Sequence, residues 1–312
     1  MKYLIQKFCT LIITLFIVSF LAFAAFQLIG DPTTAMLGTN ATPEQIAELQ
    51  HTLGLDRPLL VRYGEWLLHF LQGDMGVSYS YNLPVADMVG EKLPITFILT
   101  MMAFALTVVV SIPLGILTAR REGGVLDQAM TVLDQVVMSI PPFFIGILLT
   151  CVFGLILHLF QPGNFDAVRG HPLQYLGFML FPALSIAIPR IAMTVKMLRS
   201  SILEQMGQDY IRTGYSRGLD KSGVLWRHAL RNALIPVVTF IAVSVAEMVA
   251  GSIVIEQVFS IPGIGRLLLA SIANRDFPVV QAIVVILALW VVVVNFIADV
   301  LYQCIDPRIR LN

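Results

Sequence analysis

The 312-residue chain is 57% hydrophobic and 13% charged, where an ordinary soluble domain carries about 25% charged residues. That balance is too apolar for a water-soluble fold. The formal net charge of zero, 20 Lys+Arg against 20 Asp+Glu, argues against a simple nucleic-acid binder. Cys9, Cys151 and Cys304 are odd in number and far apart, so they imply neither a disulfide framework nor a zinc motif.

Six stretches hold about 20 mostly apolar residues, enough to cross about 30 Å of hydrocarbon. In lipid their backbone amides must bond internally, which makes them helices. The first covers about residues 8–29. A signal peptide ending near Ala22-Phe23-Ala24 is the other reading, but the run exceeds the roughly 7–15 residues of such signals.

Residues 30–94 follow as the largest piece outside the spans. Thr42-Pro43-Glu44-Gln45 is a helix start, with Thr as cap, Pro in the first turn and Gln three residues after the cap. Ile46, Leu49 and Leu53 share a face, and Gly54 ends the helix. Leu60, Tyr63, Leu67 and Phe70, with Trp66 nearby, predict an amphipathic helix at the outer membrane surface. A solvent-side core helix is the alternative. Gly73-Asp74-Met75-Gly76 turns the chain.

Spans two and three cover about 95–119 and 129–160, the latter interrupted by Pro141-Pro142. Span four, about 175–198, holds Pro182, Pro189, Arg190 and Lys196. Prolines here predict interrupted helical bonding, as at hinges and pathway linings, or plain packing kinks. Residues 196–232 then form a helical loop with seven basic residues. A short helix from Asp209 to Arg217 is closed by Gly218, and Asp220 or Ser222 caps a second that runs to Arg231. Two short helices meeting at a glycine make a knob suited to a partner's groove, although basic charge alone also fits an ordinary inner loop. Spans five and six cover about 233–259 and 279–305.

Basic residues set the direction. With the N-terminus inside, the inner segments hold 13 Lys+Arg and six acids, the outer segments six and eleven, and the spans one and three. The zero sum is therefore positive inside and negative outside, and both termini are placed in the cytoplasm. The expected division is a first transmembrane helix (1–29), an outer subdomain (30–94), a five-helix core (95–305) carrying the loop 196–232, and a cytoplasmic tail (306–312).

Ile211-Arg212-Thr213-Gly214-Tyr215-Ser216-Arg217-Gly218-Leu219, with Trp226-Arg227-His228-Ala229-Leu230-Arg231-Asn232-Ala233-Leu234-Ile235-Pro236, resembles the cytoplasmic "EAA" loop of ABC importer permeases. More narrowly it resembles the dipeptide, oligopeptide and nickel branch. Gly54–Leu59, Gly73–Ser78, Glu256–Gly265, Asn274–Pro278 and Asp306-Pro307-Arg308 match that branch in order, so the resemblance covers nearly the whole chain. Gly214, Tyr215 and Arg217 depart from its usual Ala, Arg and Lys. Counting Gly214 and Gly218 as two glycines in one short helix, residue 214 loosens it by about 1 kcal/mol relative to Ala.

The resemblance implies an all-α membrane protein of six transmembrane helices with the type I ABC importer permease fold, in a bacterial inner membrane. It implies one half of a translocation pathway, paired with a second, similar permease. Two ATPase subunits would bind the inner loops, with ATP and Mg on them, and an external binding protein would deliver cargo. No G-x-x-x-x-G-K-[ST] phosphate loop is present, so no nucleotide, cofactor or catalytic residue is assigned to this chain. The coupling residues implied are Asp209, Tyr210, Arg212, Thr213, Tyr215, Arg217, Gly218, Leu219, His228, Asn232 and Pro236, with Arg212, Tyr215 and Arg217 facing the ATPase. Peptides are the expected cargo, with nickel or a metal chelate as the alternative.

Charges inside a membrane are functional candidates. Glu247 lies mid-span among Ser244, Ala246 and Gly251, and it suits either a cationic group of the cargo or a helix–helix hydrogen bond. With Ser244, Pro141 and Pro142 it makes up the candidate pathway. Asp134 and Asp299 are expected to pair with Arg190, Arg308 or Arg310. His69, His158 and His171 are dispersed, and no metal site is expected. A self-sufficient secondary transporter would favour inverted repeats and more buried ionisable groups. A membrane enzyme would need motifs such as H-E-x-x-H or G-x-S-x-G, which are missing.

Overall fold

The computed structural model describes residues 2–29, 33, 37, 42–52 and 54–305. Among these the chain is helical, with one isolated antiparallel bridge, Val77 to Pro84. In order the helices are α1 (Lys2–Ile29), α2 (Pro43–Thr52), α3 (Leu59–Leu71), α4 (Val85–Arg120), α5 (Val125–Met138) and α6 (Pro142–Leu149). Then come α7 (Phe165–Val168), α8 (Pro172–Met206), α9 (Asp209–Ser216), α10 (Lys221–Val224), α11 (Leu230–Val258), α12 (Ile264–Ala273) and α13 (Phe277–Ile305). Wider π-turns follow α6 at Thr150–Ile156 and α10 at Leu225–Ala229.

Five helical stretches are each long and apolar enough to cross a membrane: α1, α4, α8, the run Lys221–Val258, and α13. The third expected span is instead two helices, α5 and α6, bent by 102°. The cause is Pro141-Pro142. A residue before proline is driven out of the α region, and Pro141 sits at φ −61°, ψ 142°. Pro142 then starts a new helix, where its missing amide costs nothing. Pro182 and Pro189 lie inside the single 35-residue helix α8, so they interrupt its bonding without ending it. Each proline removes only its own N–H bond, to the carbonyl four residues earlier. Helix α4 starts at Val85, before its apolar part, with Asp87 in the first turn where the helix dipole favours an acid.

The chain divides into two compact units, Met1–Thr96 with Pro262–Val293, and Phe97–Ile261 with Val294–Asn312. In the first, α2 opens on the expected reciprocal cap: Thr42 N donates to Gln45 Oε1 at 3.0 Å, and Gln45 N to Thr42 Oγ1 at 3.3 Å. Helix α3 packs against α1. Tyr63, 4% exposed, hydrogen-bonds Ser19 at 2.7 Å and meets the rings of Phe16, Phe20 and Phe23 at 5.5, 5.2 and 5.6 Å. Ser19 is about ten residues, roughly 15 Å, before the end of α1. The edge-on rings suit the aromatic quadrupole, and the paired hydroxyls satisfy each other where little water reaches.

In the second unit α5, α6 and α11 pack on α8, whose Met179, Ala183, Ala187 and Leu198 are fully buried. The Arg199 guanidinium grips Asp127 through two nitrogens, one of them at 2.7 Å, and Asp127 also accepts from Gly123 N at 2.9 Å. This buried carboxylate fastens the start of α5 to α8.

Candidate functional site

The knob after α8 is built by short-range rules. Helix α9 ends in a Schellman motif: Gly218 N donates to Tyr215 O at 2.9 Å and Leu219 N to Gly214 O at 3.3 Å. Gly218 has φ +84°, a conformation that disfavours any side chain. It therefore lies just past the helix, and the expectation of two glycines within that helix is corrected. Asp220 next accepts from Gly223 N at 2.9 Å and caps α10.

Gly214 has a packing role instead of a loosening one. A Cβ there would stand 3.3 Å from Val224 Cγ2, 3.7 Å from His228 Cδ2 and 3.9 Å from Leu219 Cδ1. The bare backbone lets α9 lie against α10 and the π-turn. Ile211 and Gly214, three residues apart, face inward. Ile211 joins Val224, Leu225, Ala229, Leu230 and Ala233 in a core continuous with Ile116, Leu198, Ile202, Val237 and Ile241.

The opposite face is polar. Asp209, Tyr210, Arg212, Thr213, Tyr215 and Arg217 are exposed, and Arg212 lies 3.5 Å from Asp209. Tyr210 also ties the knob down: its hydroxyl donates to Gln205 Oε1 at 2.7 Å and accepts from Asn232 Nδ2 at 3.1 Å. It thus links the end of α8 to the start of α11. His228 and Asn232 are exposed, Leu219 is half-buried, and Pro236 is exposed inside α11.

Among the intramembrane candidates, Glu247 on α11 forms an ion pair with Arg190 on α8. Arg190 is therefore not the partner expected for Asp134, which is buried and has Lys196 as its neighbouring charge. Arg308 and Arg310 lie outside the described residues. Ser244 is buried, and its hydroxyl donates to its own Ile241 carbonyl at 2.8 Å. Pro141 and Pro142 sit at the α5–α6 bend and are exposed.

One junction escaped sequence reasoning. Asp276, fully buried, accepts from Ser78 Oγ at 2.5 Å, Tyr79 N at 3.0 Å and Ser80 N at 3.3 Å. It joins two motif-bearing segments 198 residues apart, and Gly76 lies against Pro278 there. Aspartate one residue before a helix with proline at its second position was a legible capping signal, but the side chain bonds the distant turn instead. Nearby, Asp74 accepts from Gly76 N at 2.9 Å and lies 3.1 Å from His69 Nδ1. The Gly76 amide, then the His69 ring, hold the Asp74 carboxyl below its usual range. Burial, reinforced by the Asp276 charge, pushes the Tyr79 hydroxyl up. Thr96 Oγ1 accepts from Ile264 N at 2.9 Å and so caps α12 from a distant helix.

Residues 111–311 match the family described as the inner membrane component of binding-protein-dependent transport systems. Residues 1–100 match the N-terminal region of such membrane components. A putative peptide transport system permease protein of Brucella abortus is 36% identical over 310 residues, 99% of each chain. An oligopeptide transport system permease protein of Bacillus subtilis is 35% identical over 284 residues, 90% of each chain. A dipeptide transport system permease protein of Escherichia coli is 32% identical over 335 aligned positions, 99% of each chain.

Proposed function

The chain belongs to the family of inner-membrane permeases of binding-protein-dependent ABC importers, and on that premise we propose that it forms half of a peptide pathway driven by separate ATPase subunits. It is a multi-pass component of the inner membrane. In the proposed arrangement both termini and the knob are cytoplasmic, as the distribution of basic residues favours. A second permease completes the pathway, and an external binding protein delivers the cargo. Peptide is preferred to nickel as that cargo because the relatives described above carry peptide names.

The observation that carries the coupling reading is the two-sided build of α9. Its inner face, Ile211 and Gly214, is seated in the same core as α8 and α11. Its outer face offers Arg212, Thr213, Tyr215 and Arg217 to a partner. A push on the outer face is thereby delivered to two spanning helices through close-packed side chains, which transmit strain poorly only where voids exist. Tyr210, bonded to both Gln205 and Asn232, adds a polar link along the same route.

Gly218→Val tests this reading. Open space surrounds residue 218, so the substitution acts through the backbone, at a cost of about 1–2 kcal/mol for a left-handed residue. Insertion of the permease is expected to persist while ATP-driven uptake falls at least 10-fold. Unchanged uptake with the ATPases still bound would sink the coupling assignment.

A further inference from the structure

Arg190 and Glu247 stand near the middle of their helices, 18 residues into α8 and 17 into α11. Their side chains are 22% and 55% exposed. Among the described residues each bonds only the other, so Arg190 keeps unused N–H donors and Glu247 keeps an unused acceptor oxygen. Neighbouring polar groups do not compete for them. Ser244 donates to Ile241 O, and Thr194 donates to the backbone carbonyl of Arg190. A carboxylate more than half uncovered at this depth does not face hydrocarbon, because membrane charges turn to a watery cavity or a protein partner.

Sequence reasoning offered Glu247 either to a cationic group of the cargo or to a bond between helices, and the Arg190 pair is such an inter-helix contact. Paired with Arg190, it belongs to a seat of no net charge, which repels a bare cation as much as it attracts it. A neutral pair instead complements a molecule carrying both signs. We propose that Arg190 and Glu247 form a seat for the two charged ends of a short peptide: Glu247 takes the α-ammonium and Arg190 the α-carboxylate. This rests on the peptide-permease reading above.

The exchange conserves charge, with one internal ion pair opening and two pairs to the cargo forming. The guanidinium fork suits a carboxylate, which it holds through two parallel bonds. The ends of a dipeptide lie about 7 Å apart at full extension, so the pair parts by a few ångströms, within reach of two long side chains. When empty, the pair closes on itself and leaves no unpartnered charge between α8 and α11. Longer peptides engage one end at a time, so the seat favours the shortest cargo.

The test measures uptake by the complete transporter in proteoliposomes, with the binding protein saturated. The probes are radiolabelled dialanine, N-acetyl-dialanine and dialanine amide. Variant-to-wild-type ratios for each probe cancel the binding protein's own selection. Glu247→Gln is expected to lower dialanine and dialanine-amide uptake at least 10-fold and N-acetyl-dialanine uptake less than 2-fold. Arg190→Gln is expected to lower dialanine and N-acetyl-dialanine uptake at least 10-fold and spare the amide. Equal losses for all three probes, wild-type uptake by both variants, or loss of the partner subunits on purification would each overturn the seat and leave a structural bond. A wild-type transporter that takes up no dialanine would instead reject the peptide reading itself.

Discussion

The knob at 209–236 and the junction around Asp276 are both loops between apolar helices, yet different physics holds them. The knob is closed by bonds between near neighbours: Gly218 to Tyr215, Leu219 to Gly214, Gly223 to Asp220. Its buried side then adds apolar side chains to a core it shares with α8 and α11. The Asp276 junction adds to a locally bonded turn one buried carboxylate that reaches across 198 residues to Ser78 and two amides. A partner that pushes on the knob meets an element whose local shape survives small movements, since its caps travel with it. The turn at 76–85 keeps bonds of its own, Ser78 N to Leu83 O and Val85 N to Gly76 O at 2.9 Å, but its tie to the segment before α13 lasts only while Asp276 stays in place.

Removing single groups from each region sharpens that contrast. Asp276→Ala leaves the Ser78 hydroxyl and the Tyr79 and Ser80 amides without their acceptor. Ser78 is buried, Tyr79 half-buried and Ser80 exposed to water that can replace its acceptor, so at roughly 1–3 kcal/mol for a buried orphaned group a loss of about 2–3 kcal/mol is expected. It should appear as a lower Tm of the purified protein and as new protease cleavage between residues 77 and 84. Near-wild-type behaviour would show that the junction is held some other way.

Asp220→Ala removes only a local cap, worth about 1 kcal/mol. Hydrogen exchange should quicken at Gly223 and Val224 and stay unchanged in α8. Faster exchange in α8 would break the contrast, by showing that the knob's caps support the spans.

The smallest effect belongs to Asp74. Its carboxyl is held below the ordinary value of 3.8, so the folded state binds its proton less readily than the unfolded chain. The stabilisation is fully present above that ordinary value and is lost as pH falls through the lowered one. Solvent screens this exposed group. Asp74→Asn should therefore lower Tm slightly at pH 7, with the gap closing as the pH falls below about 4. A gap that widens on acidification would reverse the assignment.

Local chemistry was legible before any coordinates. Thr42 and Gln45, Gly54, Gly218 and Asp220 act within a few residues of themselves, and each does what its residue type favours at that position. Membrane spans were legible because hydrocarbon leaves a long apolar run one structure to adopt. Proline gave a signal whose size depended on context. Pro141 and Pro142 end a helix because the first is constrained by the second, whereas Pro182 and Pro189 sit inside α8, where packing on neighbouring helices holds the helix together.

Gly214 shows the same limit at one residue. By propensity it loosens a helix, and by packing it lets two helices touch. Sequence alone determined the membrane, the apolar runs with the third one interrupted, the capped ends of the knob and the family. Tertiary structure alone decided the partner of Glu247, the packing of α3 along α1 and the joining of Asp276 to Ser78. The physical reason is range. Caps, periodicity and hydropathy act over a few residues, while an ion pair or a buried carboxylate selects its partner by position in space, which no single stretch of the chain encodes.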